Sequence, residues 1–359
     1  MIFNFRYEML PTRIIFGSGA RNQVKREVDA LQWTKVVILS SPSMHQEADR
    51  LANRLGTQCI AVYEYAVQHV PLEIVQDVLD KLKTLKPDAL IALGGESVIG
   101  IAKAVALETA LPIMAIPTTY SGSEMTPIWG ITDSGVKKTG RNPVVKPQVV
   151  IYDPELTLSL PHSISITSGI NAMAHCVEAM YSSSANPLTS LMAEEGIRAM
   201  VEGLTRIKKE PHDLQGRNKA LYGSWLGGAV LGSVGMALHH KLCHVLGGSL
   251  HLPHAETHTV VFPYVLAYNA PYVPQTVEAL KRIFQNDDPN IAGTLYDFLR
   301  SLNAPRSLAE LGMEEKELRK AVALAVQSPY DNPRPVSAEG VQRILQMAYK
   351  GERPEKSDL

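Results

Sequence analysis

Cysteine is scarce in this chain: Cys59, Cys176 and Cys243 are an odd set of three with no CxxC pair. That excludes a disulfide framework and a Cys-type zinc site, and it suits a reducing compartment. Net charge is almost missing, with 35 Lys and Arg against 36 Asp and Glu, so no basic stripe is available for nucleic acid. No apolar run reaches the roughly 20 residues that span a bilayer. The N-terminal stretch carries Arg6 and Glu8 where a signal peptide keeps an unbroken apolar region. The chain is therefore expected to be cytoplasmic, without nucleic-acid or membrane partners. Low-complexity segments and fixed-period repeats are missing too.

Apolar residues are plentiful. They make up 45% of 359 residues, enough for two domains with sizeable cores. Residues 1–155 alternate short apolar runs with helical patterns. Strands are expected at 13–16, 35–40, 59–65, 88–93 and 112–117. Helices are expected from about Ala20, over 72–85 and over 98–109. Continuous apolar strands alternating with helices predict a parallel sheet covered on both faces. After Asp153-Pro154 the patterns are almost all helical, with breaks at Pro161, Pro187, Pro211, Gly247-Gly248, Pro253, Pro263 and Pro333. The fold expected is an α/β N-terminal dinucleotide-binding domain, 1–155, and an all-α C-terminal substrate and catalytic domain, 156–359.

Two loops sit where an open α/β sheet binds ligands. Gly94-Gly95-Glu96-Ser97 joins a buried strand to a helix, where backbone N–H groups and the helix dipole can hold a phosphate. A tight turn that needs glycine only for its conformation explains the same residues equally well, and this is not a GxGxxG fingerprint. Pro117-Thr118-Thr119-Tyr120-Ser121-Gly122-Ser123-Glu124 follows the next strand and adds hydroxyls at the same sheet edge. The strand over 35–40 ends at Ser40-Ser41 without the acid that selects NAD. The expected cofactor is NADH or NADPH, bound through Ser41, Gly94, Gly95, Glu96, Ser97, Thr118 and Thr119.

Six of the eleven histidines lie between His239 and His258. His240 and His244 are four apart on one helix, expected to stop at Gly247-Gly248, and Pro253-His254 follows. Upstream, Asn171 and His175 share a face of another helix. Buried imidazoles need partners. His175, His240, His244 and His254 are therefore read as converging, either on a metal or as an acid and anion-binding site. His239, His251 and His258 are read as structural or solvent-facing.

These motifs together resemble the iron-containing alcohol dehydrogenase superfamily, whose architecture dehydroquinate synthase shares. The resemblance implies an active site in the cleft between the two domains. It implies metal ligands at the positions of Asn171, His175, His240 and His254, with His244 beside the nicotinamide. Within the superfamily, the stretch from Ile116 to Gly130 is similar to the maleylacetate reductase branch. So are Lys138 to Arg141, Ile151 to Leu156, His239 to His244 and Asn332 to Pro335. That implies NAD(P)H-dependent reduction of the carbon–carbon double bond of maleylacetate, a small dianion, to 3-oxoadipate in aromatic-compound degradation, by a homodimer. His244, His175, His240, His254 and Tyr120 are the expected catalytic set, with Asn171 and Lys241 binding substrate.

Two departures matter. Glu96 stands where the superfamily more often has Gly. Asn171 replaces the Asp metal ligand, and a neutral amide holds a divalent cation poorly, so no tightly bound metal is expected. With no Asp, the cluster is expected to carry no negative charge. The rival readings are a metal-dependent alcohol dehydrogenase and a dehydroquinate synthase-like lyase. The lyase needs a Lys- and Arg-rich phosphate pocket, and 239–258 offers only Lys241. A non-catalytic NAD-binding protein would leave the polar cluster without a purpose.

Overall fold

The computed structural model describes residues 5, 7, 8, 10–65, 70–133 and 136–355. Of the N-terminal stretch weighed as a leader, residues 1–4, 6 and 9 lie outside them, Arg6 included. The chain divides into two units, Glu8–Leu160 and a second from Pro161 onward that includes Phe5 and Tyr7. The boundary expected at 155/156 falls within a short turn, Pro154–Thr157.

In the first unit strands and helices alternate. They are β1 (Arg13–Phe16), α1 (Val24–Ala30), β2 (Val36–Ser40), α2 (His45–Leu55), β3 (Cys59–Glu64), α3 (Leu72–Leu85), β4 (Ala89–Gly94), α4 (Glu96–Thr109) and β5 (Ile113–Pro117). A hairpin of β6 (Ile128–Asp133) and β7 (Val136–Arg141) follows, and then β8 (Val149–Tyr152). Six strands pair in parallel in the order β1-β8-β5-β4-β2-β3. The two-residue period of a strand splits each central run between two cores. Val36 and Ile38 of β2, with Ala89, Ile91 and Leu93 of β4, pack under α1 and α2. Val37, Leu39, Leu90 and Ala92 pack under α3 and α4. Each fully buried Val, Leu or Ile contributes about 1.5–3 kcal/mol, and Ile91→Ala at the sheet centre would cost about 2–5 kcal/mol.

The hairpin and β8 were not among the expected elements. β8 is only four residues, too short to show a period, and the hairpin strands mix polar and apolar residues, β6 half-buried and β7 largely exposed.

The second unit holds α5 (His162–Met180), α6 (Pro187–Lys209), α7 (Leu214–Ser233), α8 (Leu238–Leu250) and α9 (His254–Asn269). It continues with α10 (Pro274–Phe284), α11 (Ile291–Ser301), α12 (Leu318–Val326) and α13 (Ala338–Lys350). α5 is buried without a break from Ser165 to Ala179, so it forms the centre of the unit. α6 and α7 approach backbone to backbone: a methyl group on Gly203 would lie 2.6 Å from the Ala220 nitrogen. Pro187, read as a break, is the first residue of α6, capped by the reciprocal Asn186–Thr189 pair.

Two expected breaks are not breaks. α8 runs through Gly247-Gly248 and stops three residues later, where His251 turns left-handed (φ 56°) and the Leu252 N–H closes back on the Leu246 carbonyl at 3.2 Å. Pro263 lies inside α9, whose buried faces hold the helix together despite the lost donor. Among the described residues no single helix is long and apolar enough to cross a membrane.

Candidate active site

In the α/β unit the strand order reverses between β2 and β4. β3 lies beyond β2 on one side, and β5 lies beyond β4 on the other. Ligands of open sheets bind at the carboxyl ends of strands at such a reversal. Gly94 and Gly95 close β4 there, and Gly95 caps α4 without a side-chain hydrogen bond, leaving the first-turn N–H groups of a 14-residue helix to a ligand. The φ of Gly95 is −81°, so the turn does not require glycine for its conformation. Space requires it: a methyl group on Gly95 would meet the Thr119 side chain at 2.9 Å, and one on Gly94 would meet Val98 at 2.7 Å. The Thr118 N–H bonds the Gly94 carbonyl at 3.1 Å and knits the hydroxyl loop to the turn. Ser97 is half-buried, and Glu96 is exposed in the first turn, where the helix dipole tolerates an acid. The uncapped helix start and the glycine cradle fit a dinucleotide phosphate.

The ribose edge differs from expectation. Ser40 is buried and donates to the Leu93 carbonyl at 3.1 Å, so Ser41 is the serine at the surface, 2.9 Å from Ser43 Oγ. An acid does stand nearby: Glu64 ends β3 in register with Ser40 and meets His45 Nδ1 at 2.6 Å. The hydrogen bond and charge of Glu64 raise the His45 pKa. Tyr120, expected in the catalytic set, is fully buried and donates to Thr157 Oγ1 at 3.2 Å. Its hydroxyl braces the loop.

In the helical unit, α5 places Asn171, His175 and Glu178 at i, i+4 and i+7 on one face. α8 contributes His239, His240 and His244, and α9 opens with His254 and His258. Their rings meet. His175 lies 5.0 Å from His240, His240 lies 5.0 Å from His258, and His254 lies 4.5 Å from His258. His244, exposed, stands 6.3 Å from His240 one turn on. The expected four do come together, and two residues read as structural or solvent-facing join them. His239 and His258 are 1% and 0% exposed and bonded to each other at 2.9 Å. They are not solvent-facing, because α8 and α9 pack side by side and turn both rings inward. His251 is exposed, at the left-handed end of α8.

The sequence reading missed Glu178. It is buried, accepts the His239 backbone N–H at 2.8 Å, and is in close contact with His240 Nδ1. Ala237 caps α8 and has no side chain to do so, so Glu178 takes that place from the neighbouring helix. Burial alone would raise its pKa, but the charge of His240 and its hydrogen bond outweigh burial and hold it below the usual range. The cluster therefore does contain a negative charge, contrary to expectation. The i, i+4, i+7 stripe on α5 was the available signal. Burial, reinforced by neighbouring imidazoles, drives His175 and His258 well below the ordinary histidine pKa, and burial takes His239 to about 3. In this cluster five buried atoms have no hydrogen-bond partner: Asn171 Oδ1, His175 Nδ1, His239 Nδ1, His240 Nε2 and His258 Nε2. Lys241, expected at the substrate, instead sets its ammonium 5.8 Å from the Tyr330 ring.

Residues 11–154 match the iron-containing alcohol dehydrogenase family, and residues 165–349 match the Fe-containing alcohol dehydrogenase family, C-terminal. The chain belongs to the iron-containing alcohol dehydrogenase family. It is an oxidoreductase of that family, with a parallel-sheet unit and a helical unit. It is 48% identical over 352 residues to a maleylacetate reductase of Rhizobium sp. strain MTP-10005, covering 98% of this chain and 99% of that protein. A maleylacetate reductase of Sphingobium indicum is 47% identical over 350 residues, with the same coverage. The crystal structure of maleylacetate reductase from Agrobacterium tumefaciens superposes with a TM-score of 0.94 at 45% identity, covering 98% of this chain and 100% of that one.

The family name implies iron, and the donor set here fits it poorly. Asn171, His175, His240 and His254 offer no carboxylate, and both Glu178 oxygens are already engaged. A second group, His239, Cys243 and His258, brings donor atoms within 4.8 Å of one another. Its two histidine nitrogens share a hydrogen bond at 2.9 Å, closer than the about 3.3 Å that two ligands on a tetrahedral metal with 2.0–2.1 Å bonds would keep. Burial also pushes the Cys243 thiol far up, away from the thiolate a metal needs.

Proposed function

We propose that this chain reduces maleylacetate to 3-oxoadipate with NADH or NADPH, in the cytoplasm and without a tightly bound metal. One observation carries the reading: identity of 47–48% over 98% of the chain with maleylacetate reductases. The neutral amide at Asn171 and the partnerless histidine nitrogens of its cluster support it, because they suit a polar organic ligand better than a cation. The 94–97 turn with Thr118 and Thr119 would hold NADH or NADPH, which when bound would supply a hydride for the alkene carbon β to the ketone. Negative charge then moves onto the ketone oxygen. His240, its Nδ1 tied to Glu178, presents Nε2 to that oxygen. His244, open to water, delivers the proton that completes the saturated product. Asn171 and His175 hydrogen-bond the carboxylates of the substrate dianion.

Purified protein given NADH and maleylacetate should consume both one to one and form 3-oxoadipate, undiminished by EDTA. No consumption sinks the reading. Activity lost to EDTA and restored by iron or zinc favours the metal-dependent alcohol dehydrogenase instead.

A further inference from the structure

Lys103 lies in the middle of α4, two turns beyond the phosphate turn, and is 1% exposed. Its Nζ donates to the carbonyl and hydroxyl of Ser123, to Thr126 Oγ1 at 2.9 Å and to the Ile128 carbonyl at 3.0 Å. Three N–H groups thus serve four acceptors, all between Ser123 near the end of the hydroxyl loop and Ile128. Such a placement is costly for an ammonium: burial draws its pKa down to about 7, against the opposing pull of Glu124 and Glu96. The same segment is held from its other side by Glu124, fully buried, which accepts the Tyr152 hydroxyl of β8 at 2.8 Å. The segment leads back to Thr118 and Thr119, which touch the turn at Gly94 and Gly95. A single side chain therefore ties the helix whose start faces the phosphate to the loop that lines the same crevice.

We propose that Lys103 is a positioning residue for the nicotinamide cofactor, holding the Thr118–Thr119 loop in register with the turn at the start of α4. This rests on the reading that these two loops bind NAD(P)H. An apolar residue would serve packing alone. A lysine with every proton directed at one loop fixes that loop's position relative to α4. Lys103→Met keeps the stem and removes the donors. The Kd for NADH, read by quenching of protein fluorescence without substrate, should rise about tenfold or more, matching the loss of one or two charged hydrogen bonds. The KM for NADH should follow it. At saturating NADH, kcat should stay within about threefold, and the KM for maleylacetate within about twofold. An unchanged NADH Kd, even with a lower Tm, overturns the proposal. So does an equal fall in kcat with no KM split. If Lys103→Met does not fold, Thr126→Val removes one acceptor at constant shape and should weaken NADH about threefold. An unchanged Kd there also overturns it. Failure of the functional reading would look different: wild-type protein that binds NADH but does not oxidise it with maleylacetate.

Discussion

The two units each bury a polar cluster, and the two clusters differ in what they leave open. Around Lys103 in the α/β unit every ammonium proton has an oxygen and Tyr152 meets one Glu124 oxygen, which leaves Glu124 Oε2 as the one partnerless atom there. Around His240 in the helical unit Asn171, His175, His239, His240 and His258 each keep a partnerless atom. Buried polar atoms are nearly always satisfied, and each exception needs a reason. The nearly satisfied cluster holds backbone in place. The unsatisfied one is the arrangement expected of residues that wait for a ligand, and its single carboxylate, Glu178, is spent on orienting a helix and a ring.

If that contrast is right, the largest effects come from the open cluster. His240→Ala and His244→Ala should each lower kcat by about 10²–10⁴ with little change in the Kd for NADH, whereas His251→Ala should leave steady-state rates unchanged. A near-normal kcat with only a raised KM would make His244 a binding residue. His258 now belongs with the first group, so His258→Ala should also lower kcat.

Metal comes next. Asn171→Asp restores an anionic ligand beside His175 and His240. It should tighten zinc or iron binding by about tenfold or more, read by elemental analysis after dialysis. Equal metal content in the two proteins would mean that the amide is not what keeps metal away.

Acid should separate the clusters further. The folded-state pKa values of His175, His239 and His258 lie below the ordinary 6.5. The unfolded chain therefore binds protons first as pH falls. The stability these residues confer is intact above about 6.5, and it is lost at up to about 1.4 kcal/mol per pH unit for each residue below that. Urea unfolding at pH 7.5 and 5.5 checks this, and His239→Asn should show a shallower loss.

The smallest effect concerns the ribose edge. With Glu64 engaged by His45, NADH and NADPH should both serve, within about two orders of magnitude in kcat/KM, the value of one charged contact. Glu64→Gln should shift the ratio a few-fold towards NADPH, and Ser41→Asp should shift it towards NADH. A stronger native preference would place the ribose elsewhere.

Much of this protein was legible in its residues alone, because strands and helices announce themselves through local periods of 2 and 3.6. The Leu72–Leu85 helix, the five strands from Arg13–Phe16 to Ile113–Pro117 and the turn at Gly94-Gly95 are such features. So are the shared faces of Asn171 with His175 and of His240 with His244, since i, i+4 spacing puts both residues on one side of a helix. Other features depend on which elements lie side by side. The packing of α8 against α9 turned His239 and His258 inward, and α5 carried Glu178 under the start of α8. The neighbouring strand β3 supplied an acid beside Ser40, and the fold of the 118–128 segment buried Tyr120 and wrapped Lys103. Sequence patterns report which face of an element is apolar. What a polar side chain meets on the far side of that face is decided only when distant segments pack, because desolvation and hydrogen bonding act between neighbours in space.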